Sequence, residues 1–385
     1  MKIESIEIKN FKVFQNAKIS NLPNMAVLIG KNGTGKTIFF DILAFLQDCL
    51  KDNVSKSLAK RGGFKEVVSQ GHEDEDISLI FKFKQKPNEP IIIYKLSISL
   101  NKNNFAVLNY EIISLQSSAN QDPWIILKFV KGLGFVEEYE EQEEGINTVK
   151  RREYELESPD ILALKGLGQF KDFVVVADLR KFIEDWSFLD FSIEVAKELK
   201  KACLGGFLTP RADNLLQVVK DICDHYPKLF KEIMVKIRQN FKEIENVEIL
   251  ETLDGYLRCP FKESTLSHFG AKRVSDGTLK LFMYLVLLHN PWRKALLSLE
   301  APEEHLYPEL LEKLAQEFQS YSFKGQVFIS TYSPTFLNAV PLNAIYVLKK
   351  QDGFTLISRI IDLPLVKSLG EAGDLPGSLW REGLL

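Results

Sequence analysis

Cysteine is sparse in this chain. Cys49, Cys203, Cys223 and Cys259 are the only four in 385 residues, they are scattered, and none forms a CxxC pair. Cys223 and His225 stand close together, but no second pair at metal-site spacing accompanies them. The thiols therefore read as reduced and structural, not as zinc ligands or disulfide partners. His72, His225, His268, His289 and His305 show no ligand spacing either. Long apolar runs are missing: the longest, Leu281 to Leu288, is far short of the ~20 residues that span a bilayer. The opening MKIESIEIKNF alternates charged and apolar residues, which is unlike the h-region of a signal peptide, so the cytoplasm is the expected compartment and no membrane partner is expected. An excess of one charge is missing too. Forty-nine Lys and Arg against 52 Asp and Glu leave a net charge of −3, with no global basic field to draw the chain onto nucleic acid. Neither a sustained heptad repeat nor a short internal repeat is visible.

What remains is the composition of a globular protein, 45% hydrophobic and 26% charged. Residues 3 to 9 alternate as a half-buried strand does. MAVLIG (Met25 to Gly30) is a continuous apolar run, as in a strand covered on both faces, and KTIFFDILAFLQDCL after it has helical spacing. From about Ile77 to Val130 four β-rich segments separated by Pro, Asn and Gly predict an antiparallel meander, with GLGF at Gly132 to Phe135 as a hairpin turn. The acidic run Glu137 to Gly145 predicts a solvated, mobile loop. Between about Phe173 and Glu245 the pattern is largely helical, with Pro227 suited to a first turn. Beyond Asn246 come short strands, a helix after Gly277, the strand ALLSL, a helix after Pro308 and the strand QVFIS. That alternation is α/β with a parallel sheet. The expected organisation is residues 1–75 and 261–385 as two parts of one nucleotide-binding domain, with 76–260 a β-rich and helical insertion.

The stretch from Gly30 to Thr37, GKNGTGKT, fits G-x-x-x-x-G-K-[ST] between a strand and a helix. Gly30, Lys31, Asn32, Gly33, Thr34 and Gly35 would curl backbone N–H groups around phosphate oxygens, at a helix start whose dipole favours anions. Lys36 would reach the β- and γ-phosphates and Thr37 would offer its hydroxyl to Mg²⁺. ATP and Mg²⁺ are thus the expected cofactors. Such a loop needs a carboxylate on a neighbouring strand, and Glu300, ending ALLSLE, supplies one at the carboxyl end. A second small, polar turn, Ser275-Asp276-Gly277, opens a long apolar helix and makes another anion-directed helix start. One nucleotide in one chain does not require two cradles; two chains arranged head to tail do.

These motifs, in this order, resemble the ABC-class ATPases of the RecF, SMC and OLD branch. SDGT is similar to the LSGGQ-type signature, IKNFKVF (Ile8 to Phe14) to the branch's opening motif, LEAPEEHLYP to its Walker B and D-loop segment, and STYSPTFLNAV (Ser330 to Val340) to its switch segment. The resemblance implies a P-loop NTPase head with a β-rich lobe and a helical subdomain. It implies an ATP-dependent homodimer with Ser275, Asp276 and Gly277 facing the partner's nucleotide. Gln70 in EVVSQGHE takes the Q-loop position, a third metal ligand. It also implies control of a separate effector or nuclease in DNA repair or phage defence. About 45 residues follow Val340, too few for the Toprim nuclease of OLD proteins. Two positions depart from the pattern: Ala301 stands where the resemblance expects the glutamate that activates water, and Tyr332 where it expects the switch histidine. Hydrolysis is therefore expected to be slow. Glu303, Glu304 and His305 lie beyond Pro302, past the strand end, and are weaker substitutes. A DNA-stimulated clamp, using basic clusters such as Lys150-Arg151-Arg152, and a non-hydrolysing scaffold are the alternatives.

Overall fold

The computed structural model describes residues 1–385 other than 87, 119–120, 142–146, 204, 264–268, 271–273 and 372. Each of its two compact units is drawn from two stretches of chain, Met1–Trp186 with Tyr346–Arg359, and Ser187–Ile345 with Ile360–Leu385.

The first unit begins with β1 (Lys2–Phe11), β2 (Phe14–Ile19) and β3 (Met25–Ile29), followed by helix α1 (Lys36–Lys51). Then come β4 (Ile77–Lys84), β5 (Ile91–Leu100), β6 (Ala106–Gln116), β7 (Trp124–Val130), β8 (Leu133–Glu141) and β9 (Asn147–Glu155). An eight-stranded sheet runs β2-β1-β4-β5-β6-β7-β8-β9, and the meander read from the sequence is its body. Register follows burial: Ile6 faces Phe81 and Ile8 faces Leu79, and all four are buried. In the core of this unit Phe81, Phe83, Phe182 and Trp186 form an aromatic cluster, with successive ring centroids 5.8 to 5.9 Å apart from Phe81 to Trp186. Gln47 on α1, almost fully buried, donates to the carbonyls of Ile183, Glu184 and Trp186, so a polar side chain inside an apolar helix closes the end of the Val174–Glu184 helix.

The acidic run departs from expectation. Glu137 to Glu141 lie on β8, and only residues 142–145 of the run fall outside the described residues. The physical reason lies across the ribbon, where register sets Glu137 against Arg151 and Glu138 against Lys150. The Glu137–Arg151 pair sets opposite charges across the ribbon, which favours the hairpin. The Arg151 guanidinium also lies 3.4 Å from the Phe135 ring centroid. The turn at Gly132 takes positive φ, as a hairpin there requires.

β3 lies beside the strand Ile345–Gln351, which pairs antiparallel with Phe354–Arg359. In the second unit, Leu296–Glu300 and Gln326–Ser330 are parallel neighbours with Glu300 opposite Ser330. The helix Asp276–Leu288 is apolar around its circumference and is buried from Thr278 onward. The helix Pro308–Ser322 starts on its proline and buries one stripe, Leu310, Leu311, Leu314, Ala315 and Phe318. Tyr284, Phe318 and Phe336 stack edge to face between these elements. Pro227 likewise opens its helix, Pro227–Asn240. No helix among the described residues is long and apolar enough to cross a membrane.

Candidate functional site

The phosphate-directed loop is shaped by three glycines that cannot be exchanged. A Cβ on Gly30 would sit 2.6 Å from the Leu348 carbonyl oxygen. One on Gly35, where φ is +93°, would meet Val13 at 2.7 Å. Gly33 has open space around it, and its φ of +77° is what selects glycine there. The loop is fastened from two sides: the Thr34 hydroxyl donates to the Lys31 carbonyl at 2.8 Å, and the Thr355 hydroxyl donates to the Thr34 carbonyl at 2.9 Å. Gly35 caps α1 without a side chain, so the helix start presents backbone. Lys36, only 5% exposed, donates to the Gly30 carbonyl at 2.7 Å and to that of Lys31 at 3.2 Å, which places its ammonium across the loop. A curled run of N–H groups under a buried ammonium suits a polyphosphate. Lys31, Asn32 and Gly33 form the loop's exposed lip, and Thr37 follows on the first turn of α1.

The opening motif contributes a residue that sequence reasoning passed over. Asn10, 3% exposed with φ +59°, donates from Nδ2 to the carbonyls of His72 and Glu75, both at 3.0 Å, and accepts from the Ser69 N–H at 3.1 Å. The Lys12 N–H adds a bond to the Val67 carbonyl at 2.7 Å. Together they tie the end of β1 to the segment bearing Gln70, whose side chain is exposed. The signal was present: a polar residue at a buried place in an alternating strand. Lys12 pairs with Asp41 at 2.8 Å, and the other Asp41 oxygen receives Arg61 at 2.7 Å, so α1 is braced along its outer face.

In the second unit, Ser275 caps its helix by accepting from the Thr278 N–H at 3.2 Å, and its hydroxyl lies 2.7 Å from that of Thr278. Asp276 is paired with Lys197 at 2.7 Å, and this contact holds its carboxyl below the usual range. Lys197 also donates to the Val274 carbonyl. A carboxylate beside an anion-directed turn would repel phosphate; the lysine neutralises it. A Cβ on Gly277 would lie 2.8 Å from the His305 carbonyl oxygen, so the turn packs directly on the segment after Glu300. That segment is sharply bent. Ala301 has φ +42° and His305 +65°, the Ala301 N–H donates to the Ser330 carbonyl at 2.9 Å, and the Glu304 N–H returns to the Ala301 carbonyl at 3.1 Å. The bend carries Glu303 back over the strand ends, where Oε1 accepts from the Tyr332 N–H at 2.7 Å. The Tyr332 carbonyl accepts from the Trp380 indole at 3.2 Å, while its side chain remains 44% exposed. The backbone of the switch position is thus held on both sides, by Glu303, read from the sequence only as a weaker substitute beyond the strand end, and by Trp380, which the sequence did not single out.

Among the described residues no group of three or more His, Cys, Asp or Glu could hold a metal ion. The donors expected for Mg²⁺, the Thr37 hydroxyl and the Glu300 carboxylate with Gln70, are hard oxygens, and they suit an ion that takes few protein ligands and completes its shell with phosphate and water. Thr37 and Gln70 belong to the first unit and Glu300 to the second.

A glycine loop between strand and helix, a glutamate ending a parallel strand and a capped Ser-Gly turn are elements of a P-loop NTPase fold of the ABC and SMC type. The AAA ATPase domain family matches residues 1–337, and the chain belongs to that family. Comparison with curated proteins gives no match. Among solved structures, an SMC head bound to the C-terminal winged-helix domain of ScpA is similar over 93% of this chain and 98% of its own, with TM-score 0.54 and 12% identity. An SMC head with an extended coiled coil, bound to the C-terminal domain of ScpA from Pyrococcus furiosus, is similar over 97% and 99%, with TM-score 0.51 and 10% identity. The likeness is one of fold.

Proposed function

We propose that this chain binds ATP with Mg²⁺ and uses it to close a head-to-tail homodimer, a switch whose closed state acts on a separate effector protein. The observation that carries the reading is the presence of two differently built phosphate-directed turns. One is the glycine loop Gly30–Thr37, and the other the capped Ser275–Thr278 turn with its acid neutralised by Lys197. In a head-to-tail pair each nucleotide would take the first from one protomer and the second from the other. Lys36 would bind the β- and γ-phosphates, Thr37 and Glu300 would hold Mg²⁺ with Gln70 near them, and Ser275 and Gly277 would meet the γ-phosphate across the interface. Hydrolysis is slow, because a methyl group at Ala301 cannot activate water, so the closed state is long-lived.

A protein partner is supported by the similar SMC heads, which are bound to ScpA domains. A role in DNA repair or phage defence follows from the resemblance to the RecF and OLD branch.

Light scattering in Mg²⁺ with ATP, with ADP and without nucleotide tests the switch. The expected result is a dimer with ATP alone, lost in Lys36→Ala and in Ser275→Arg. An unchanged mass in all three conditions would refute it.

A further inference from the structure

We propose that the second unit carries a site for single-stranded nucleic acid, at the end of its parallel strands remote from Glu300. The site goes beyond the switch and uses none of its residues. Leu296–Glu300 and Gln326–Ser330 run side by side, and the segments that lead into them, Asn290–Lys294 and Tyr321–Gly325, are clasped together. The Tyr321 hydroxyl donates to the Lys294 carbonyl and accepts from the Lys294 N–H, both at 3.0 Å. The Arg293 guanidinium lies 5.3 Å from the Tyr321 ring centroid. Asn290, 1% exposed, donates to the Gly206 carbonyl at 3.0 Å and accepts from the Trp292 N–H at 2.8 Å, so the first segment is held from beneath. Tyr226, at the junction of the helices Leu215–His225 and Pro227–Asn240, sets its ring edge to face on Trp292, with centroids 5.6 Å apart.

Two kinds of side chain are displayed on this frame. Tyr226 and Trp292 are each 38% exposed and Phe323 is 84% exposed. Folding gains little from a ring left that far in water, and the ring offers a bare face. The stretches Tyr226–Lys231, Asn290–Lys294 and Tyr321–Gly325 hold five Lys and Arg and no acid, and Lys228, Lys231, Arg293 and Lys324 are exposed. Asp224 and Glu232 flank the first stretch, and Lys220 meets Asp224 at 3.0 Å. The net charge of −3 for the whole chain therefore hides a local excess of positive charge. Rings interleaved with cations suit a single strand, whose unstacked bases have faces to lay on the rings and whose phosphates take the cations. A duplex hides its base faces and could use the cations alone. An acidic protein segment would use the cations too, and would leave the rings without planar partners.

The test is fluorescence anisotropy of a labelled oligothymidylate of about 12 nucleotides, titrated with the full chain at low salt without ATP. The unaltered chain is expected to bind it. Phe323→Ala removes a ring that the fold leaves in water, and is expected to weaken binding roughly 5- to 100-fold at an unchanged melting temperature. The double variant Lys228→Ala/Lys324→Ala is expected to lower the slope of log K against log salt by about 1.4, two phosphate contacts on a single strand. Failure of the unaltered chain to bind would overturn the proposal, and so would equal binding by Phe323→Ala. Competition separates the occupants. Displacement of the probe by a duplex of the same length, or by a polyglutamate peptide of equal charge, as readily as by unlabelled oligothymidylate would also overturn it. Such a result would leave a charged surface for an acidic partner.

Discussion

Glu111 offers the sharpest test of the energetics of the first unit. It lies fully buried on β6, with its carboxylate accepting from the Tyr94 hydroxyl at 2.9 Å and from the N–H groups of Ala163 and Leu164 at 2.5 and 3.0 Å. Burial raises its pKa from 4.5 to about 7, against the lowering effect of those three donors. Since the folded value lies above the unfolded one, the stability this group contributes is fully present below about pH 4.5. It is lost progressively as pH rises toward 7, and above 7 the folded state carries the whole cost of a buried charge. A displacement from 4.5 to about 7 corresponds to ~3 kcal/mol between those limits.

The variant Glu111→Gln keeps an acceptor oxygen and cannot ionise. Urea unfolding of both proteins at intervals from pH 4.5 to 8 gives the difference curve. The expected result is that the unaltered chain loses ~3 kcal/mol relative to Glu111→Gln across that window, most of it between pH 5 and 7. Superimposable pH dependence would show that the carboxylate is ionised in the fold throughout, held by its three donors, and would refute the argument from burial.

Three further outcomes follow from the site. Asn10→Ala removes three hydrogen bonds to the Gln70 segment and is expected to cost about 2–3 kcal/mol and to expose residues 69–76 to limited proteolysis, whereas Asn10→Gly, which relieves the positive φ, is expected to expose them equally. Gly35→Ala combines a left-handed φ with a Cβ 2.7 Å from Val13, and thermal unfolding is expected to report a loss of about 2–4 kcal/mol with ATP binding abolished. Lys197→Met leaves Asp276 uncompensated beside Ser275. Sedimentation should show ATP-driven dimerisation weakened roughly three- to tenfold, more strongly at low salt, with Asp276→Asn restoring it.

The sequence was most legible where one physical constraint acts locally. A glycine pattern between a strand and a helix can be read from spacing because positive φ and close backbone approach admit nothing else, and Gly30, Gly33 and Gly35 stand where that logic requires. Pro227 and Pro308 opened helices for the same kind of reason. The strands β4 to β7 announced themselves as β-rich runs between Pro, Asn and Gly turns. What could not be read were partnerships across the chain. Glu137–Glu141 looked like repulsion because the strand that sets Arg151 opposite Glu137 comes only after a turn and runs in the opposite direction. Lys197 is separated from Asp276 by 79 residues and Trp380 from Tyr332 by 48, and no periodicity joins either pair. Asn10 was quoted as part of a motif but not weighed as a side chain. Its role depends on a loop sixty residues away.

The segment after Glu300 is where these distant partnerships meet. Spacing alone set Glu303 past the strand end and so out of reach, an inference that assumes the chain continues outward. A left-handed residue at 301 reverses it, and alanine carries a cost there that glycine would not. The reversal packs the His305 carbonyl against Gly277 and presents Glu303 to the Tyr332 N–H, so one short loop touches both the Ser275–Thr278 turn and the switch backbone. A Cβ built on Gly277 would lie 2.8 Å from the His305 carbonyl oxygen, so it is the absence of a side chain there that lets the turn and the loop approach this closely.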